Sequence, residues 1–394
     1  MKKVYLHHHF QKLHSLYTDM VKAGVPGYEF VVEEHQSKTD SLITRFSKNN
    51  FLKWIYKLTI KNIINPIEIK DREFSQKILP KDIDLIFSTS HLIIRDDKPW
   101  ILDVVDKITS LEGYDYALYK KRKDYIRSIL LHESLKKILV FTEACRKDFI
   151  DEFKSPEIEK KIEIVHITKP LFPKKRIAKS YKKRQVNLLF IGSINNPDDF
   201  LIKGGLETLE TFKYLQKKFS NLHLSIRCNI PPKIKEKYKD LPRLHIIEKI
   251  LSQKELDNLY KSADIFMTPS HNLNGLAPVE AMSYSLPMIA IDTWAVEEVI
   301  IDNINGLIVK KSDKIDYAGE KIHLDTRNKH FLRQIQEIDN SLIKRLANKT
   351  ERLIVNPKLR KKLGENGRKM VESGEFSFKK KQKLLKRIFD EAVA

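Results

Sequence analysis

One stretch of the sequence combines a turn, the start of a helix and a single acid in a way that suits a nucleotide diphosphate. Residues 268–287 read TPSHNLNGLAPVEAMSYSLP, with Gly275 in the turn and Glu280 further along in the helix. Backbone N–H groups at a helix N-terminus, together with the helix dipole, attract anions. A carboxylate inside that helix can accept hydrogen bonds from a ribose diol. The segment therefore predicts a site for a nucleotide-linked ligand.

A strand-end glycine and a lysine precede this segment and could serve the same ligand. Residues 188–192 read LLFIG, a buried strand that ends in Gly192, and KGGLETL opens a predicted helix at Lys203. Ligands of open α/β sheets bind beyond the carboxyl ends of the strands, so Lys203 and the Gly275 turn could meet on one diphosphate. The alternative is a solvated lysine together with a first-turn acid that complements the helix dipole.

Length and composition predict a globular protein of about two domains. The chain has 394 residues, of which 41% are hydrophobic and 32% charged, and no apolar run is long enough to span a bilayer. The first residues, MKKVYLHHHF, read as a first strand rather than a secretion signal. Cys145 and Cys228 lie far apart without metal-type spacing, which fits a reducing compartment. We therefore expect a cytoplasmic protein.

The formal net charge of +21 admits three kinds of partner: nucleic acid, an anionic membrane surface or phosphorylated substrates. Nucleic acid ranks last, because the sequence has no zinc spacing, aromatic RNA-binding signature or recognition-helix motif. The alternative is a compositional bias that leaves many solvated lysines.

Apolar runs alternate with amphipathic stretches along the chain, which predicts an α/β fold with parallel sheets. The predicted domains are residues 1–170 and 187–375, joined by a basic linker at 171–186 and followed by a final helix within 376–394. Strands are predicted at residues 4–6, 83–88, 100–105, 138–142, 162–167, 186–191, 222–227, 244–247, 265–268, 288–291 and 306–309. Helices are predicted at residues 116–131, 143–153, 204–219, 253–262, 279–285, 365–372 and 378–392.

Several stretches in the second half resemble, in order, the retaining GT-B glycosyltransferases of family 4 with a group 1 domain. They are residues 190–192, 203–204, 252–270, 275–282, 297–309 and 356–368. The first half resembles that family only in layout. The resemblance implies two Rossmann-like, doubly wound parallel-sheet domains that face a cleft, with the C-terminal helix crossing back to an acceptor-binding N-terminal domain.

The resemblance also assigns roles to particular residues. It implies that Glu280, the second acid of an E-x7-E motif, accepts the ribose hydroxyls, and that the amides around Gly275 and Leu276 hold phosphate or sugar oxygens. Lys203 matches the family lysine that neutralises the diphosphate leaving group. The nucleotide sugar would be a co-substrate, with no cofactor and no metal, and the reaction would retain the anomeric configuration.

Two positions depart from the family pattern. Asn272 stands where the family has the first acid of E-x7-E, and an amide can hydrogen-bond a sugar hydroxyl but carries no negative charge. Ser193 stands where the family arginine follows Gly192. Arg227, at the end of the next predicted strand, is a candidate replacement for that cation; the alternative is an ordinary surface arginine.

The first domain supplies fewer candidates. Asp106 ends the stretch PWILDVVD, where the family has a strand followed by His-Asp, so we expect Asp106 to contact the acceptor or the donor sugar, with Asp103 as a second candidate. His91 closes the preceding strand, where a structural role is the alternative. The three histidines at 7–9 follow the first strand and could bind metal, although they lack acidic or cysteine companions.

Residues 41–65 mix basic and apolar side chains as an interfacial helix does, which suits a lipid-linked acceptor and an anionic membrane surface. The alternative is a domain helix that packs its apolar face on the sheet. The sequence thus predicts transfer from a nucleotide sugar to a glycan or lipid-linked acceptor, at the inner face of a membrane or free in the cytoplasm. The alternatives are a GT-B epimerase of nucleotide sugars and a non-catalytic scaffold subunit. Recognition of the base is expected near Lys249 and Ile250.

Overall fold

The computed structural model describes residues 1–8, 13–32, 66–93, 95–104, 106–170, 185–273, 275–317, 321 and 323–394. The chain divides into two compact units. Unit 1 comprises Met1–Phe141, Cys145–Val165 and Gln382–Ala394, and unit 2 comprises Thr142–Ala144 and His166–Lys381. The predicted basic helix at 41–65 and all but the last two residues of the predicted linker lie outside the described residues. So does His9.

Unit 1 contains a six-stranded parallel sheet in the order β2-β1-β3-β4-β5-β6. Its strands are β1 (Lys2–His7), β2 (Tyr28–Val32), β3 (Leu85–Thr89), β4 (Trp100–Asp103), β5 (Leu135–Val140) and β6 (Ile162–Ile164). Every residue of β3 and β4 is buried, as expected for central strands covered on both faces. The helices are α1 (Ser15–Ala23), α2 (Pro66–Ser75), α3 (Tyr116–Leu131), α4 (Glu143–Phe153) and the short α5 (Pro156–Glu159), of which α4 begins in unit 2.

Unit 2 contains a second six-stranded parallel sheet, in the order β12-β11-β10-β7-β8-β9. Its strands are β7 (Val186–Ile191), β8 (Leu222–Arg227), β9 (Leu244–Ile247), β10 (Ile265–Thr268), β11 (Met288–Ile291) and β12 (Gly306–Val309). The helices are α6 (Asp198–Ile202), α7 (Gly205–Leu215), α8 (Pro232–Tyr238), α9 (Gln253–Ser262), α10 (Leu276–Ser283), α11 (Lys329–Gln334), α12 (Asn340–Val355) and α13 (Pro357–Glu372). Two parallel sheets in an α/β arrangement are what the sequence predicted.

The last helix, α14 (Phe378–Ala392), packs on the sheet of unit 1, as predicted. Leu385, Ile388, Phe389 and Ala392 form its buried stripe, and the Phe389 ring lies edge-on to Phe87 of β3 at 5.9 Å. Polar contacts add to this packing: Tyr28 donates to Asp390 over 2.8 Å, and Lys137 pairs with Glu163 and Glu391, each at 2.9 Å.

Several predicted boundaries were wrong. Helix α10 begins at Leu276, three residues before the predicted start, since Pro278 fits a first helical turn. Helix α7 begins after Gly204, whose left-handed backbone (φ 79°) cannot continue a helix, and ends at Leu215. Helix α13 begins at Pro357 with Asn356 as its N-cap, well before the predicted 365. Strand β2 was not predicted, and β7 begins at Val186, inside the range given to the linker.

Candidate functional site

The carboxyl ends of β7 and β8 approach each other so closely that only glycine fits at position 192. A Cβ on Gly192 would lie 2.3 Å from Cys228 Sγ. The Gly192 N–H donates to the Arg227 carbonyl over 2.8 Å, and Arg227 Nη1 donates to the Gly192 carbonyl over 3.1 Å. The structure therefore places Arg227, the candidate replacement for the family arginine, directly beside the strand-end glycine.

Ser193, which occupies the position of that arginine, has a local role. Its hydroxyl accepts from the Asn195 N–H over 3.2 Å, and its carbonyl accepts from the Asn229 N–H over 2.9 Å. The serine thus shapes the turn after β7 rather than presenting a charge.

Lys203 lies at the junction of α6 and α7, against the loop that follows β10. Gly204 has φ 79°, and a Cβ there would lie 2.0 Å from the Pro269 carbonyl oxygen. The Lys203 and Arg227 charges both act on the Cys228 thiol. Burial raises the pKa of that thiol to about 12, against the opposing effect of the two cations. Lys203 and Arg227 are therefore electrostatic neighbours of the same buried group.

The loop between β10 and α10, here the β10–α10 loop, is held to the Lys203 segment by hydrogen bonds. The His271 N–H donates to the Ile202 carbonyl over 2.8 Å, and the Ser270 hydroxyl donates to the same oxygen over 3.3 Å. From the other side, Thr293 Oγ1 donates to the Ser270 carbonyl over 2.6 Å. These bonds hold the β10–α10 loop against the segment that leads into Lys203.

Asn272 is 5% exposed, and both ends of its side-chain amide bond to the backbone of the protein. Its Oδ1 accepts from the Leu273 N–H over 2.8 Å, and its Nδ2 donates to the His323 carbonyl over 3.3 Å. An acid at this position would place a carboxylate against that carbonyl. The structure thus gives a local reason for the amide where the resembled family has an acid.

Gly275 directly precedes α10, so the N–H groups of the first turn, from Leu276 onwards, have no partners inside the helix. A Cβ on Gly275 would meet Ile167 Cδ1 at 3.3 Å, and the glycine itself has ordinary helical backbone angles. The predicted turn and helix start are therefore present, and the helix starts earlier than the sequence suggested.

Glu280, one turn into α10, is held by two residues that the sequence did not single out. Lys169 Nζ lies 2.8 Å from its Oε1, and the Tyr260 hydroxyl donates to its Oε2 over 2.8 Å. The side chains of Lys169 and Glu280 are 15% and 16% exposed. Burial, then the Glu280 charge, raises the pKa of Tyr260 well above its usual value, so the hydroxyl keeps its proton and remains a donor.

Arg227 joins this group from β8. Burial lowers the pKa of its guanidinium from the ordinary value, and the nearby Cys228, Tyr260 and Glu280 oppose that effect. Within the part of the chain that the structure describes, its Nε is buried without a hydrogen-bond partner. Unit 2 thus brings together Gly192, Lys203, Arg227 and Glu280.

Three further candidates, Asp103, Asp106 and His91, belong to unit 1. Asp106 follows β4, which ends at Asp103 rather than at the predicted residue 105. Asp103 is buried and accepts from the Tyr17 hydroxyl over 2.7 Å, which gives it a structural role. His91 Nδ1 lies 3.7 Å from Asp71 Oδ1.

The structure also describes His7, His8 and the two residues near which base recognition was expected, Lys249 and Ile250. His7 stacks on Phe74 with ring centroids 3.5 Å apart, and both His7 and His8 are buried. Lys249 pairs with Glu255 at 2.8 Å, and Ile250 is 77% exposed. Among the described residues, no group of three or more His, Cys, Asp or Glu side chains could hold a metal. No helix in the described ranges is long and apolar enough to cross a membrane.

Comparison with known proteins shows similarity to glycosyltransferases. Residues 185–324 match the family model described as "Glycosyl transferases group 1". A D-inositol 3-phosphate glycosyltransferase of Xylanimonas cellulosilytica is 23% identical over 137 residues, which is 33% of this chain and 32% of that protein. Alpha-1,3/1,6-mannosyltransferase ALG2 of Kluyveromyces lactis is 32% identical over 128 residues, which is 31% of this chain and 24% of that protein. The aligned part thus covers about a third or less of these relatives.

The fold comparison extends over the whole chain. The structure of HepE from Anabaena, in complex with UDP and glucose, superposes with a TM-score of 0.61 at 11% identity and covers 99% of both chains. Similarity at this level of identity shows a shared fold. Residues 185–324 therefore belong to the group 1 glycosyltransferase family, and the chain as a whole has the GT-B fold.

Proposed function

We propose that the chain is a glycosyltransferase that moves a sugar from a nucleotide-sugar donor to a glycan or lipid-linked acceptor, with retention of configuration. The observation that carries this proposal is the group of cations at the carboxyl edge of the second sheet. Lys203 and Arg227 both act on Cys228 beneath Gly192, and among the described residues the buried Arg227 Nε has no hydrogen-bond partner. A buried N–H donor without a partner is costly, and a phosphate oxygen would satisfy it.

Different residues around this edge would bind different parts of the donor. Glu280, held by Tyr260, would accept the ribose hydroxyls, and the N–H groups of the first turn of α10, from Leu276 onwards, which have no partners inside the helix, would bind phosphate or sugar oxygens. Lys203 and Arg227 would face the diphosphate. Support for a nucleotide donor also comes from the HepE structure, which contains UDP and glucose.

The proposed reaction breaks the bond between the anomeric carbon and the diphosphate oxygen, and forms a bond from that carbon to the acceptor oxygen. The acceptor proton passes to the departing phosphate. Negative charge develops on the leaving group as the bond breaks, so fixed cations at Lys203 and Arg227 stabilise the transition state more than the ground state. These side chains supply the positive charge that the proposal requires without a metal. Asp106 in unit 1 would contact the acceptor or the transferred sugar.

Donor turnover tests the proposal. The full chain is incubated with UDP-glucose, UDP-N-acetylglucosamine and GDP-mannose, with and without simple glycoside acceptors, and released nucleoside diphosphate is measured. We expect hydrolysis or transfer with at least one donor, and a loss of about 10²-fold or more in Lys203→Ala, as for other removed transition-state charges. Glu280→Ala should mainly raise KM.

A matched control separates these effects from a general loss of charge. Lys233 is an exposed lysine of α8, and Lys233→Ala should keep wild-type turnover. If no donor in the panel binds or turns over, or if Lys203→Ala behaves like Lys233→Ala, the proposed function is wrong.

A further inference from the structure

A buried histidine in the β10–α10 loop has no part in the proposed donor contacts. The side chain of His271 is fully buried, with Nε2 3.0 Å from Glu207 Oε1 and Nδ1 2.7 Å from the Tyr317 hydroxyl. Glu207 lies in the first turn of α7, four residues after Lys203. Asn272 follows directly in the loop. His271 thus connects the helix after Lys203 to the loop that faces the donor.

The chemistry of the three groups sets the direction of the hydrogen bonds. A carboxylate only accepts, so His271 Nε2 carries a proton and donates to Glu207. Burial, and then the negative charge of Glu207, raises the pKa of Tyr317 far above its usual value, so its hydroxyl keeps its proton. That hydroxyl can therefore donate to Nδ1, which completes a chain from Tyr317 through His271 to Glu207.

The rest of the surroundings restrict the ring further. Phe331 is fully buried and lies edge-on to both the His271 and Tyr317 rings, with centroids 6.1 Å apart in each case. The His271 N–H is also bonded to the Ile202 carbonyl, one residue before Lys203. A ring that is bonded at both nitrogens and packed against Phe331 links the position of the loop to that of α7.

We propose that His271, Glu207 and Tyr317 are positioning residues that set the separation between Lys203 and the β10–α10 loop. This inference rests on the proposed glycosyl transfer. Because Glu280 and its partners hold the nucleoside from α10, loss of the His271 nitrogens should slow the chemical step more than it weakens donor binding. A displacement of about 1 Å in a reacting group costs on the order of 10²-fold in rate.

The test compares four variants of the full chain. His271→Phe keeps a ring but removes both nitrogens, His271→Gln restores an N–H that can reach Glu207, and Tyr317→Phe removes a single hydroxyl. His223→Phe is the control, because His223 lies in β8 of the same unit and the proposed site does not include it. Hydrogen exchange without ligand is measured for peptides covering residues 199–210 and 268–273, and kcat and KM are measured with the best donor of the panel.

We expect His271→Phe to raise exchange in both peptides, to lower kcat by 10- to 100-fold and to keep KM within about 3-fold. His271→Gln should recover at least a third of the lost activity on a logarithmic scale. Should His271→Phe not fold, Tyr317→Phe gives the same comparison with a smaller change. Exchange that rises in one peptide only, or kcat within 3-fold of the His223→Phe value, would overturn the inference. If the wild-type chain turns over no donor, the proposed function fails, and the exchange data alone decide whether the loop and α7 are coupled.

Discussion

Gly204 offers a direct way to change the distance between Lys203 and the β10–α10 loop. Its backbone is left-handed, with φ 79° and ψ 30°, and a Cβ there would lie 2.0 Å from the Pro269 oxygen and 2.5 Å from the Pro269 carbonyl carbon. These are backbone atoms, so no side-chain rotation can relieve the contact. In Gly204→Ala the loop must move away from Lys203, or α7 must move with Lys203 away from the loop.

The size of the displacement follows from the geometry. Cβ atoms essentially never approach a heavy atom closer than 3.0 Å, so the 2.0 Å contact requires a shift of about 1 Å. The alanine backbone itself costs about 1–2 kcal/mol in the left-handed region. A shift of about 1 Å in the position of the leaving-group cation corresponds to a loss of roughly 10²-fold in turnover.

Gly113→Ala is the matched control for the backbone cost. Gly113 ends the 3-10 helix Ile108–Glu112 in the same left-handed region, with φ 63° and ψ 30°, and among the described residues its added Cβ would meet only the end of the Ile67 side chain, at 3.1 Å. We expect both variants to lower the melting temperature. Only Gly204→Ala should lose turnover, measured as kcat with the best nucleotide-sugar donor.

Two results would refute this reasoning. If Gly204→Ala retains turnover within about 3-fold of Gly113→Ala, the spacing between Lys203 and the loop does not control the reaction. If Gly113→Ala loses turnover equally, the effect of Gly204→Ala comes from global destabilisation.

Three further predictions concern hydrogen bonds at and beyond the site. Tyr260→Phe removes the donor to Glu280 and should weaken binding of the matching nucleoside diphosphate by about 5- to 30-fold, corresponding to 1–2 kcal/mol; calorimetry showing unchanged affinity would contradict this role. Asn272→Asp places a carboxylate against the His323 carbonyl and should lower the melting temperature at pH 7. At pH 4, where the acid is partly protonated, the difference in melting temperature from the wild type should shrink. A difference of the same size at both pH values would contradict this prediction. In unit 1, burial would raise the pKa of Glu163, but hydrogen bonds from Lys137 and Arg387 lower that pKa overall. The stability from this carboxylate is therefore present above its unfolded pKa and is lost as pH falls below about 4.5, so melting curves between pH 6 and pH 3 should converge with those of Glu163→Gln.

The parts of the site that the sequence predicted are those encoded locally. The run before Gly192 is a buried strand by its composition, and the strand ends of a parallel sheet share one edge, so the meeting of Gly192 and Arg227 follows from adjacent β7 and β8. Gly204 was predicted as the first residue of a helix, but its left-handed backbone places it outside α7, which begins at Gly205. The same local pattern set the start of α10 too late, because the apolar residues after Leu276 do not distinguish a helix from the preceding turn.

The sequence could not predict contacts between distant segments. Lys169 is 111 positions from Glu280, and nothing in its surroundings marks it as a partner of that carboxylate. Tyr260 lies in α9, in a stretch that does resemble the group 1 family, yet its buried hydroxyl acts through the packing of α9 against α10. His271 likewise depends on Glu207, 64 positions earlier. Such pairs depend on how helices pack on the sheet, which no local pattern encodes.

The charge balance of the assembled site bears on the missing acid. Among the described residues, the group contains three cations, Lys169, Lys203 and Arg227, and two carboxylates, Glu280 and Asp199, so three positive charges less two negative leave an excess of +1. The diphosphate of a nucleotide sugar is negatively charged, so this excess has the sign that the proposed ligand requires. A further acid at position 272 would cancel the excess and would also face a backbone carbonyl. Lys169 is already paired with Glu280, and Arg227 of β8 is the proposed replacement for the arginine of the family pattern. Under the proposed function, an amide at Asn272 keeps the net charge of the site positive, and the two departures from the family pattern belong to one electrostatic arrangement.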